Sequence, residues 1–122
     1  MAKYENTEAF KSCLENLEAL ANKLEYPEWA KRFHDSYTFL CGDKDIEEFA
    51  QRFPEVDKED INVYLAARTA HVFGGCGWWN DGPKETAYFL GFGDEYNDAT
   101  NELRHQLHLA SAYGKRTFSC IK

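Results

Sequence analysis

Apolar residues recur at three- and four-residue spacing along nearly the whole of this 122-residue chain, a period that suits helices and little else. The first stripe is Phe10, Cys13, Leu14, Leu17, Leu20, Ala21 and Leu24. Asn6 or Thr7 can cap it, and Pro27 should stop it by forcing Tyr26 toward extended geometry, which predicts a helix over about Thr7 to Leu24. Pro27 then suits the first position of a second helix on Ala30, Phe33, Tyr37 and Leu40, closed by Gly42. Asp43 or Asp45 caps a short third helix carrying Ile46, Phe49 and Phe53, and Pro54 ends it.

A fourth helix is predicted from about Lys58 to Phe73 on Ile61, Leu65, Thr69 and Val72. Asp57 is its cap, and Gly74 its left-handed C-terminal residue. A short fifth helix follows from Pro83 to about Leu90, ahead of the break at Gly91 and Gly93. The last runs from about Asp94 to Tyr113 on Tyr96, Ala99, Leu103, Leu107 and Ala110, with Gly114 ending it. A basic tail, residues 115–122, remains, in which Phe118 and Ile121 can anchor.

Val and Ile number three each, too few to furnish a sheet, and no repeat or low-complexity linker divides the chain. Hydrophobic residues make up 43% and aromatics 16%, enough for one core and too little length for two. The expected fold is all-α, one compact domain of five or six helices with a Gly/Trp-rich loop between the fourth and fifth. No apolar run reaches the roughly 20 residues that span a bilayer, and Met1 to Asn6 leads into no signal-peptide core. A cytoplasmic location is therefore expected. Cys13, Cys41, Cys76 and Cys120 form no CxxC pair, which agrees with a reducing compartment. Cys13 and Cys41 read as small buried residues, whereas Cys120 alone has basic neighbours.

The net charge of −7 is the sum of two unlike regions: residues 1–114 carry −10 and the last eight residues +3. Phosphate backbones would be repelled, so nucleic acid is excluded as a partner of the body, and a basic protein would be attracted. The acids concentrate in two segments. Asp43, Asp45, Glu47, Glu48, Glu55, Asp57, Glu59 and Asp60 outweigh Lys44, Arg52 and Lys58 to give −5, and Asp94, Glu95, Asp98 and Glu102 add −4. Some of these acids simply favour helix N-termini. As a group they form a candidate docking surface for a cationic protein.

The segment from Gly74 to Pro83 places three glycines within four residues, yet it follows a helix and lacks the Lys-Ser/Thr ending of a phosphate loop. Its composition suits structure instead. Gly77 permits a tight turn, Trp78 or Trp79 plugs the core, and Asn80 or Asp81 caps the next helix. The other tryptophan faces out and is a candidate contact residue.

Metal and nucleophilic chemistry are thinly supported. Glu102, His105 and His108 share a helix face but lack a further ligand, and His71 lies five residues from Cys76 without a third partner. His71 also sits near a helix C-terminus, where its cationic form would interact favourably with the dipole. No catalytic residue, metal or cofactor is assigned.

The stretch Val72-Phe73-Gly74-Gly75-Cys76-Gly77-Trp78-Trp79-Asn80-Asp81 resembles the F-G-G-M-G-S-F/W-N-D loop signature of a family of small helical bacterial proteins, some of them candidate immunity proteins of toxin systems. Cys76 stands at the Met position and Trp78 at the Ser position. The resemblance implies a cytoplasmic helical protein that binds and neutralises a toxin, and it carries over no catalytic residue. With the acidity, it points to an immunity protein that occludes the active site of a cationic toxin, a nuclease, using Asp43, Asp45, Glu47, Glu48, Asp57, Glu59, Asp60, Trp78, Trp79, Asp94, Glu95 and Asp98. A regulatory or adaptor domain for another basic protein is the alternative, and a small metal-dependent enzyme a more distant one.

Overall fold

The computed structural model describes residues 4–74 and 78–118, the last three as backbone only. Among the described residues there are six helices and no strand: α1 (Thr7–Lys23), α2 (Pro27–Cys41), α3 (Glu47–Arg52), α4 (Lys58–Ala70), α5 (Gly82–Leu90) and α6 (Gly93–Phe118). None is long and apolar enough to cross a membrane.

The four long helices close a ring in which α1 packs on α2, α2 on α4, α4 on α6, and α6 on α1. Side-chain contacts fix their directions. Arg32 near the start of α2 reaches the Thr69 carbonyl at the end of α4. Tyr113 near the end of α6 meets Asp60 at the start of α4, and Glu95 at the start of α6 meets Lys23 at the end of α1. The result is an up-down-up-down bundle, with α3 packed on α4 and α5 on α6.

Periodicity accounts for most of the core. All seven residues of the α1 stripe are buried, with Phe10, Leu14, Leu17 and Ala21 fully so. On α2 the buried set is Ala30, Phe33, Ser36 and Leu40, so Ser36 takes the inner position expected for Tyr37. Its hydroxyl donates to the Ala66 carbonyl of α4 at 2.7 Å, satisfying a polar group inside the core while two small residues let the helices approach. Ile46, Val56, Ile61 and Leu65 form a smaller cluster beneath α3.

Several helix ends differ from expectation. α1 ends at Lys23, and two residues on Glu25 takes a left-handed conformation (φ 65°) while the Tyr26 N–H reaches back to the Ala21 carbonyl at 2.9 Å; the stop thus precedes Pro27. Neither Asn6 nor Thr7 caps α1 through its side chain; the Thr7 hydroxyl donates instead to the Tyr4 carbonyl. Asp57 precedes α4 without a side-chain cap bond, whereas the Glu47 N–H of α3 does donate to Asp45 Oδ1 at 3.0 Å. Gly42 closes α2 as expected, at φ 78°.

α4 ends at Ala70, earlier than the predicted Phe73, and His71 turns extended. Gly74 is consequently no left-handed cap. α6 runs through Gly114 to Phe118, because one glycine without positive φ weakens a helix by about 1 kcal/mol but does not stop it. The first residues of the expected basic tail are therefore helical. Cys13 is buried, but Cys41 is exposed, since the last residue of α2 lies beside a turning glycine and outside the core stripe. The roles expected for Gly77, Cys76, Cys120, Ile121 and the Phe118 side chain lie outside the described residues.

Candidate functional site

Trp79 is fully buried at one end of the ring. Its indole N–H donates to Thr100 Oγ1 at 2.9 Å, its ring stacks on Tyr96 at 5.3 Å, and Phe33 meets it edge-on at 5.0 Å. The Tyr96 hydroxyl donates to the Trp79 carbonyl at 3.0 Å and also contacts Asn80 Oδ1. Burial pushes the Tyr96 hydroxyl pKa up to about 12. Trp79 is thus the core plug, and its expected role as a partner contact is corrected: no surface of it is left to touch.

Trp78 is half-buried over Trp29, with ring centroids 5.8 Å apart. The Arg32 guanidinium lies 5.1 Å from the Trp78 ring and 5.7 Å from Trp29, and its Nε donates to the Thr69 carbonyl at 2.7 Å. A second nitrogen donates to the His71 carbonyl at 3.4 Å. One cation therefore satisfies carbonyls where α4 ends and holds the Trp78 ring, a role the sequence reading missed. The signal available was Arg32 standing three residues after Trp29, a helical neighbour spacing.

The two acidic segments lie at opposite ends of the bundle. Asp60 touches Tyr113, and Asp94 begins the same helix, about 28 Å away at ~1.5 Å per residue. The two segments are therefore not neighbours, and Trp79 lies at the Asp94 end beside Tyr96 and Thr100. At the α3–α4 end, Glu47 pairs with Lys58 at 2.6 Å, Asp45 accepts the Glu47 N–H, and Asp60 accepts the Tyr113 hydroxyl at 2.5 Å. Asp43, Glu48, Asp57 and Glu59 are exposed. Of the neighbouring aromatics, Tyr64 is 38% exposed with Arg68 at 5.8 Å from its ring, and Phe49 is half-buried with Arg52 at 4.8 Å.

The opposite end is different. α5 buries Pro83 and Ala87, and because successive residues turn by about 100°, the run Tyr88-Phe89-Leu90 cannot all face inward. Tyr88 is 51%, Phe89 89% and Leu90 48% exposed. Asn97 of α6 donates to the Tyr88 hydroxyl at 2.6 Å, and the Tyr88 ring lies against Gly93, where a Cβ would come within 2.7 Å of it. These contacts fix the corner between α5 and α6. Asp94 precedes Asn97 by one helical turn, and Asp98 lies one turn beyond Asp94, both exposed. Glu95 is engaged by Lys23 at 3.0 Å, and that ammonium also sits 4.6 Å from the Phe92 ring. Sequence reading identified these acids but not Tyr88, Phe89 and Leu90; the clue was three consecutive apolar residues ending a nine-residue helix.

Glu102 accepts a bond from Gln106 at 2.7 Å, and among the described residues no His, Cys, Asp and Glu group has the geometry to hold a metal. The pairing of His71 with Cys76 lies outside the described residues; the His71 ring stands edge-on to Phe73. No protein-family model matches the chain, and neither a curated protein nor a solved structure does.

Proposed function

We propose that this protein binds a basic partner through the α5–α6 corner, and that the partner is a cationic toxin, a nuclease, which it neutralises in the cytoplasm as an immunity protein. The carrying observation is Phe89, 89% exposed, on the same corner as Asp94 and Asp98. Exposed aromatics supply contact energy when a partner buries them, and rim charges supply rate and orientation. The α3–α4 end exposes less apolar surface, Tyr64 at 38% beside Arg68 against Phe89 at 89%, so its acids contribute chiefly to the field of the net −7. Carboxylates at the corner take the positions that substrate phosphates fill in a nuclease groove, excluding substrate. The likeness of residues 72–81 to a loop signature found among candidate immunity proteins supports the same reading.

Charge reversal at each end tests the assignment. Asp94→Lys with Asp98→Lys should slow association with the partner by about tenfold at low salt, the effect shrinking as ionic strength rises. Glu48→Lys with Asp57→Lys should slow it far less. If the second pair has the larger effect, the docking face is at the other end. An adaptor would leave the partner's nuclease activity intact at one-to-one stoichiometry, whereas an immunity protein abolishes it.

A further inference from the structure

Between α4 and the second half of α6 lies a cavity of about 460 Å³, within the range of roughly 300–1,000 Å³ that small ligands occupy. Ala67, Leu107 and Ala110 give it an apolar floor, and Arg68, His71 and Lys115 stand around it. No carboxylate is among the described residues that line it, although the molecule carries a net −7. Asp60, one turn before Tyr64 on the α4 wall, is held by the Tyr113 hydroxyl. Arg68 and Lys115 are exposed, and among the described residues neither is in an ion pair.

Gly114 supplies the second observation. It lies inside α6, where glycine is unfavourable relative to alanine, and neither usual reason for a glycine holds there. Its φ is not positive, and a Cβ would meet nothing within 4 Å. What the missing side chain does is leave the wall of this cavity open.

We infer that the α4–α6 cavity binds a small amphiphile with a carboxylate head and an unbranched apolar chain. The chain lies on Ala67, Leu107 and Ala110 toward Gly114, and the head takes donors from Arg68 and His71. An apolar floor sets a preference for hydrocarbon, and a cationic rim within an acidic protein selects the charge of the head. The site is separate from the α5–α6 corner and does not depend on the partner assigned there.

Titrating the full-length protein calorimetrically with decanoate, decanol and decyltrimethylammonium, each below its micelle concentration, tests the inference. Decanoate should saturate one site and bind about tenfold more tightly than decanol, with the cationic amphiphile weakest. Arg68→Gln should erase the preference for decanoate over decanol, and Gly114→Leu should weaken both by about tenfold or more, its folding checked by circular dichroism beside Gly114→Ala. Equal binding of the three amphiphiles, no saturable binding, or an unchanged decanoate preference in Arg68→Gln overturns it. So does a dimer in sedimentation that Gly114→Leu dissociates, which would assign the cavity to a second copy.

Discussion

At Gly74 the chain has no room for a side chain, because a Cβ there would fall inside the Trp78 indole. The sequence suggests a helix-ending glycine at this position, and the structure gives it a different duty: to let a ring lie flat on the backbone. Gly74→Ala should therefore push Trp78 off Trp29 and Arg32 and cost about 1–3 kcal/mol, the range for forcing extra volume into packed structure. A denaturant titration measures the loss, and a red-shifted tryptophan emission reports the displaced ring. Unchanged stability with unchanged emission would show that the ring does not depend on this contact. Which of Trp78 and Trp79 fills the core was not legible from two adjacent identical residues. The choice follows from Thr100, Tyr96 and Phe33, all distant in sequence, gathering around one of them.

Helix bodies were readable because their signal is local. The α1 stripe, Pro27 at the start of α2 and the left-handed Gly42 at its end all follow from spacing and punctuation within a few residues. Two ends were not. α4 stops where Arg32, from another helix, takes the Thr69 and His71 carbonyls, and α6 continues through Gly114, whose φ is not positive. The seam of α1 against α6 carries a pH dependence of its own. Burial, aided by the Glu102 charge, pushes the Cys13 thiol from its ordinary 9.0 up to about 12; burial alone takes Tyr4 from 10.0 to about 12, and burial takes Tyr96 there as well, against the opposing pull of Thr100 and Arg104. The unfolded chain releases these protons first, so stability is fully retained below pH 9 and falls as pH rises from there toward about 12. Melting temperature followed from pH 7 to 11 at constant ionic strength should be level and then decline. In Cys13→Ala the decline should begin nearer the ordinary tyrosine value of 10.0. A level curve to pH 11 would contradict the buried, neutral state of these groups.

At the scale of the molecule, the net acidity resolves into two segments at opposite ends of the bundle. Local charge counts were readable, but their separation needed the antiparallel run of α4 against α6, which places Asp60 and Asp94 about 28 Å apart. The exposed corner was equally hidden, since Phe89 becomes conspicuous only once Ala87 is seen to take the buried position of α5. We propose this corner as the surface that a basic protein covers. It is tested most directly by installing a photo-crosslinking phenylalanine analogue at position 89, and separately at position 48, in the native cell. Position 89 should give one salt-sensitive adduct, with a basic protein whose nuclease activity the unmodified chain abolishes at one-to-one stoichiometry, and position 48 little or none. An adduct formed only from position 48, or a partner that is acidic or keeps full activity in the complex, would contradict it.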